Sequence, residues 1–137
     1  MQIDHIGYLV RDMEKSIRAF EAIGYTTVTE IIDDDKDCNG KKPRNVRLCF
    51  LQNGNYRIEL VSPIGDDSIV SKIAYKYGET PYHICYRVDC LNDAIARLKK
   101  EEWIVIEPEA PAIAFNNTPV AFLFRNGIGL IELVEYK

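Results

Sequence analysis

Histidine is scarce in this chain, and so are the features that mark several large functional classes. No apolar run approaches the roughly 20 residues of a membrane-spanning helix. Lysine and arginine number 17 against 21 aspartates and glutamates, a net charge of −4. That balance excludes a general nucleic-acid binder, which needs clustered cations against phosphate. No charged segment followed by an apolar one precedes the first strand-like stretch, so the expectation is a cytoplasmic protein without an export signal. The four cysteines, Cys38, Cys49, Cys85 and Cys90, show no C-x-x-C spacing. Reduced thiols are the expected state. What remains is ordinary globular material, 47% hydrophobic and 28% charged over 137 residues. That length suits one domain, or two half-size modules sharing a core.

The chain repeats itself. His5-Ile6-Gly7-Tyr8-Leu9-Val10 resembles His83-Ile84-Cys85-Tyr86-Arg87-Val88, 78 residues later. The likeness extends to Met13, Ile17 and Phe20, which fall on Leu91, Ile95 and Leu98. A second block, Ile58-Glu59-Leu60-Val61, returns as Ile131-Glu132-Leu133-Val134 at an offset of 73. The first copy holds the longer polar loop, 33–42, which accounts for the difference. Its acidic run Asp33–Asp37 reads as a solvated loop, with a mobile lid as the functional alternative.

Each copy predicts a strand, a helix and three further strands. In the first, residues 3–10 alternate as a strand, with Ile6, Tyr8 and Val10 on the helix side. Asp12 is placed to cap the helix that carries Met13, Ile17 and Phe20, and Gly24 to end it. Strands follow at 25–32, 45–52 and 56–62, the last two joined at Asn53-Gly54. The second copy predicts strand 82–88, helix 91–101, and strands near 103–107, 119–125 and 129–135. Between the copies, 63–81 forms a linker with a short helix near Ser68–Tyr77. The fold class is therefore α+β, built from two βαβββ modules.

Strand parity places the polar residues. If Ile6, Tyr8 and Val10 lie under the helix, His5 projects from the opposite face, and His83 does the same beside Ile84. Glu59 and Glu132, each between an isoleucine and a leucine, also point away from their helices. A lone strand histidine is usually a hydrogen-bonded core residue, but these two are the chain's only histidines and hold equivalent positions. Two imidazoles and two carboxylates suit one divalent transition metal, with room left for substrate oxygens. Arg87 shares the parity of His83, so its guanidinium is a candidate for a substrate carboxylate.

Segments His5–Tyr25, Tyr56–Pro63, His83–Trp103 and Val120–Glu135 resemble the vicinal oxygen chelate superfamily, which includes glyoxalase I, methylmalonyl-CoA epimerase, extradiol dioxygenases and bleomycin-resistance proteins. The resemblance implies one domain over 1–137, with module one about 1–62 and module two about 82–137. The two modules would pair as a half-barrel around a metal cleft, helices outward. His5, Glu59, His83 and Glu132 match the glyoxalase I metal quartet, implying one nickel, cobalt or zinc ion. Leu9 stands near the place of a glutathione-holding arginine of glyoxalases. Where some epimerases carry a further acidic base, this sequence has Val46-Arg47-Leu48.

On this resemblance the expected activity is that of a glyoxalase I-type lyase or isomerase. It converts the hemithioacetal of methylglyoxal or another 2-oxoaldehyde to a 2-hydroxyacyl thioester. Glu132 would be the principal base and Glu59 the steadier ligand. Epimerisation of a 2-methyl-branched acyl-CoA is the alternative, and binding of a small molecule without turnover is a third reading. The expected partners are a small-molecule substrate and a second copy in a homodimer, with neither nucleic acid nor membrane.

Overall fold

The computed structural model describes residues 1–37, 40 and 42–136; Cys38, with Asn39 and Lys41 of the polar loop, lies outside the described residues. Among those described are nine strands, three α-helices and one 3₁₀ turn. They fall into two units, Ile6–Tyr82 and Met1–His5 with His83–Lys137. The first five residues thus belong with the second sequence copy.

In the unit Ile6–Tyr82, strand β1 (Gln2–Leu9) contributes its second half and leads to helix α1 (Met13–Ala22). Asp12 caps α1 as its sequence position implies, its Oδ1 accepting from the Lys15 amide at 3.1 Å. That bond satisfies one of the orphan amides at a helix start. The helix ends at Ala22, and the chain turns away at Gly24, which sits at φ +106°, a backbone conformation few other residues adopt. The strands that follow are β2 (Thr26–Thr27), β3 (Ile32–Asp34), β4 (Val46–Asn53) and β5 (Tyr56–Pro63). The expected strand 25–32 is in fact two short pieces, both paired with β4. Asp33 and Asp34 of the acidic run are therefore strand residues. Asp33 Oδ1 accepts from Arg47 Nε at 2.9 Å, and Arg47 also reaches Glu14. Helix α2 (Ser71–Tyr77) occupies the segment read as a linker.

Parity in β1 holds for the core with one exception. Tyr8 and Val10 pack under α1 with Met13, Ile17, Phe20, Leu51, Ile58 and Leu60. Tyr8, Phe20 and Tyr25 meet edge to face at 5.2 Å between centroids, the arrangement favoured by ring quadrupoles. Ile6 was expected there too, but it is 38% exposed. The α1 apolar stripe starts at Met13 and covers the strand only from Tyr8 onward.

The unit Met1–His5 with His83–Lys137 is built from β6 (Thr80–Val88), α3 (Leu91–Lys99), β7 (Ile104–Ala112), a 3₁₀ turn (Ile113–Phe115), β8 (Thr118–Arg125) and β9 (Gly129–Glu135). Its core joins Leu91, Ala94, Leu123, Ile131 and Leu133 to Tyr86, Ile95, Leu98 and Trp103. Helix α3 stops at Lys99, short of the expected residue 101, and Glu102 follows with φ +69°. No side chain of Cys90 caps α3; the Leu91 amide donates instead to Glu135 Oε2 at 2.8 Å.

The same register recurs in each unit. β1 runs parallel to β5 with Gly7 opposite Glu59, and β6 runs parallel to β9 with Cys85 opposite Glu132. These pairs are equivalent positions of the sequence repeat. An aromatic residue faces each carboxylate from the antiparallel neighbour, Phe50 on β4 and Phe122 on β8. No described helix is long and apolar enough to cross a membrane.

Removing either helix-start partner, by Asp12→Ala or Glu135→Ala, is expected to lower unfolding free energy by about 1 kcal/mol, measurable by urea titration. The thiols offer an independent check. Cys49 and Cys85 are buried, and burial pushes both thiols up; Cys90 is exposed. Alkylation of the folded protein near pH 8, mapped by mass spectrometry, should label Cys90 and spare Cys49 and Cys85 until denaturant is added.

Candidate metal centre

β1, β6 and β9 bring three buried side chains of one unit together. His5, His83 and Glu132 are each less than 5% exposed. His5 Nε2 lies 3.3 Å from Glu132 Oε1, and His83 Nε2 lies 3.3 Å from the same oxygen. The imidazoles meet edge to face with centroids 5.6 Å apart. Phe115 stacks on His5 at 5.7 Å, and Phe122 sits edge-on to His83 at 5.3 Å. The rings fix both imidazole planes and wall the polar groups with apolar surface.

Electrostatics at this cluster favour an ionised carboxylate. Burial pushes the Glu132 carboxyl up, but hydrogen bonds with His5 and His83 and the charge of both imidazoles outweigh it. The group is held well below the ordinary glutamate range.

The donor spacing tests whether these residues suit a cation. Two ligand atoms each about 2.0–2.2 Å from one ion, at right or tetrahedral angles, stand roughly 3–3.5 Å apart. Both observed nitrogen–oxygen separations fall in that range, and all three ligand atoms lie within 4.8 Å of one another. The residues fit a divalent transition metal, for which imidazole and carboxylate are ordinary ligands.

Glu59 belongs to the other unit, where it is buried on β5 between Ile58 and Leu60. Its partners in register are Gly7 and Phe50, on the strands either side. Ile58 and Leu60 take the α1 side, so the expected parity of Glu59 is the observed one.

Arg87 has a partner that sequence reasoning missed. Its Nε donates to Asp4 Oδ1 at 2.9 Å, and its guanidinium lies over the Tyr136 ring at 5.0 Å. Asp4 in turn reaches His5 Nδ1 through Oδ2 at 2.7 Å. Arg87 also lines an open cleft of about 800 Å³ with Met1, Gln2, Asp93, Arg97 and Tyr136, and none of the candidate ligands lines it. Strand alternation hid Asp4, because neighbours in a strand nominally point to opposite faces. The available signal was its type: an acidic residue next to a candidate ligand in an otherwise apolar strand.

The whole chain is similar to known proteins. The human mitochondrial methylmalonyl-CoA epimerase is 29% identical over 137 residues, 98% of this chain and 73% of that protein. The mouse mitochondrial methylmalonyl-CoA epimerase is 27% identical over 98% of this chain and 72% of its own. A crystal structure of methylmalonyl-CoA epimerase from Mycobacterium tuberculosis superposes with a TM-score of 0.81. It is 26% identical and covers 99% of this chain and 88% of that one. These findings overturn the glyoxalase I expectation, with its methylglyoxal substrate: the relatives are named as epimerases of methylmalonyl-CoA, not as glyoxalases. Two histidines and two glutamates do not by themselves name a substrate, which is why His5, Glu59, His83 and Glu132 misled the substrate reading. At the level of the superfamily the resemblance holds, in fold as in sequence. The family model of the glyoxalase/bleomycin resistance protein/dioxygenase superfamily matches residues 4–122, and the chain belongs to that superfamily.

Proposed function

We propose that this protein is a metal-dependent isomerase that exchanges the α-proton of a 2-methyl-branched acyl-CoA, as the name methylmalonyl-CoA epimerase describes for its relatives. The observation that carries the reading is the buried convergence of His5, His83 and Glu132 at 3.3 Å, in a chain similar over its whole length to such epimerases. His5, His83 and Glu132 are the proposed ligands, and the sequence repeat assigns Glu59 the fourth place. A divalent cation bound by them supplies Lewis acidity toward the thioester carbonyl.

The protein's own groups handle the proton. Glu132 is the proposed principal base, taking the α-proton on a carboxylate oxygen from one face of the carbon. Inverting the centre requires delivery to the opposite face. The repeat offers Glu59, in its protonated form, as the acid for that step: its proton goes to the carbon, leaving Glu59 ionised and Glu132 protonated, and the reverse reaction restores both. A cation held by these residues would keep Glu132 ionised, so the base would need no prior deprotonation. Phe115 and Phe122 keep the imidazoles out of bulk water and so strengthen each charge interaction nearby. A small-molecule acyl-CoA is the proposed partner, taken up by a homodimer.

Incubation of the metal-loaded protein with one epimer of methylmalonyl-CoA in deuterium oxide should give deuterium at the α-carbon together with racemisation. Metal bound without any exchange would contradict the reading. Glu132→Gln should slow exchange by about 10²–10⁴-fold, the usual worth of a positioned general base. Glu59→Gln should cost less if Glu132 is the principal base. The reverse order would transfer that role to Glu59.

A further inference from the structure

Asp4 and Arg87 take no part in the proton transfer, yet their contacts lead directly to a candidate ligand. Asp4 is buried, and an ionised carboxylate removed from water needs both a counter-charge and hydrogen bonds. It has both: Arg87 Nε on Oδ1 at 2.9 Å and His5 Nδ1 at Oδ2 at 2.7 Å. We infer that Asp4 is a positioning residue for His5 as a metal ligand, and that Arg87 is the cation that balances and orients Asp4. The inference rests on the reading of His5, His83 and Glu132 as ligands.

Two distances separate this role from direct ligation. Donors sharing one ion stand roughly 3–3.5 Å apart, as His5 and His83 do from Glu132. The Asp4–His5 contact is shorter and lies in the range of a charge-assisted N–H···O bond. Asp4, His5 and Cys85 also cluster within 4.8 Å. With Asp4 and His5 so close, that cluster is a hydrogen-bonded group rather than a second cation site. A carboxylate on Nδ1 requires Nδ1 to carry the hydrogen, so Nε2 is the nitrogen that gives up its proton and becomes the donor when a cation binds. Such a partner sets the ring's orientation and makes its other nitrogen a better donor to a metal.

The repeat sharpens the assignment. The position equivalent to Asp4 in the second copy is Tyr82, and the position equivalent to Arg87 in the first is Leu9. At both positions the copies differ, and the two residues without a counterpart in the repeat meet in one ion pair. A pair that breaks the symmetry of an otherwise matched quartet makes His5 the anchored ligand.

The test is a double-mutant cycle on zinc affinity, measured by chelator competition, with cobalt absorption as the spectroscopic readout. Asp4→Asn should weaken binding about 10–100-fold, as loss of such a partner does, and change the cobalt band intensity. Arg87→Gln should weaken it roughly two- to fivefold, the worth of a half-exposed ion pair. The double variant should bind no more weakly than Asp4→Asn alone. Far-UV circular dichroism and Tm check folding, and Arg87→Gln, at a half-exposed position, keeps the test open if Asp4→Asn fails to fold. Native affinity in Asp4→Asn, beside a clear loss in His83→Ala, would overturn the positioning role. Fully additive losses would overturn the part assigned to Arg87. Unchanged affinity in His83→Ala would instead overturn the ligand reading itself.

Discussion

The fold of the second unit is organised around one carboxylate oxygen that two imidazole nitrogens approach to 3.3 Å. Moving a carboxylate out of water costs several kcal/mol even after relaxation, and this cost must be met by groups placed in advance. The parallel pairing of β6 and β9 brings His83 and Glu132 to one place. The first five residues add His5, although they belong to the other sequence copy. Sheet register is decisive here, because a slip of one residue would turn every one of these side chains to the helix side. The apolar neighbours Tyr86, Ile131 and Leu133 resist that slip by holding the opposite face against α3. Core packing and site geometry are thus one constraint.

Much of this was legible in the residues. The offsets of 78 and 73 anticipate the register pairs Gly7 with Glu59 and Cys85 with Glu132. Alternation around Ile58 and Leu60, and around Ile131 and Leu133, assigns the face of each glutamate correctly. The illegible parts depend on contacts distant in sequence. Ile6 is exposed because the reach of α1 over β1 depends on where the helix begins, which periodicity within the strand does not specify. The stretch 25–32 reads as one strand by composition but splits, since β2 and β3 pair with opposite ends of β4. Asp4 and Arg87 are 83 residues apart and meet only once β1 and β6 are in place.

Substrate choice was the least legible feature, for a chemical reason. Two histidines and two glutamates describe a Lewis-acid site beside a base, and that description serves any reaction that removes a proton next to a carbonyl. What distinguishes a hemithioacetal from an acyl-CoA lies in contacts to the rest of the substrate. Residues such as Leu9 and the segment Val46-Arg47-Leu48 carried opposing hints, each weaker than the quartet itself. Similarity over the whole chain, which averages over many such contacts, favours the acyl-CoA reading.

The central claim is that one divalent ion is held by both copies of the repeat. The most direct measurement is an anomalous difference map from a crystal of the zinc-loaded protein. The account predicts one strong peak bonded to His5 Nε2, His83 Nε2 and Glu132. A peak on Asp4 and Cys85 instead, or no peak within bonding distance of the two histidines, would contradict it.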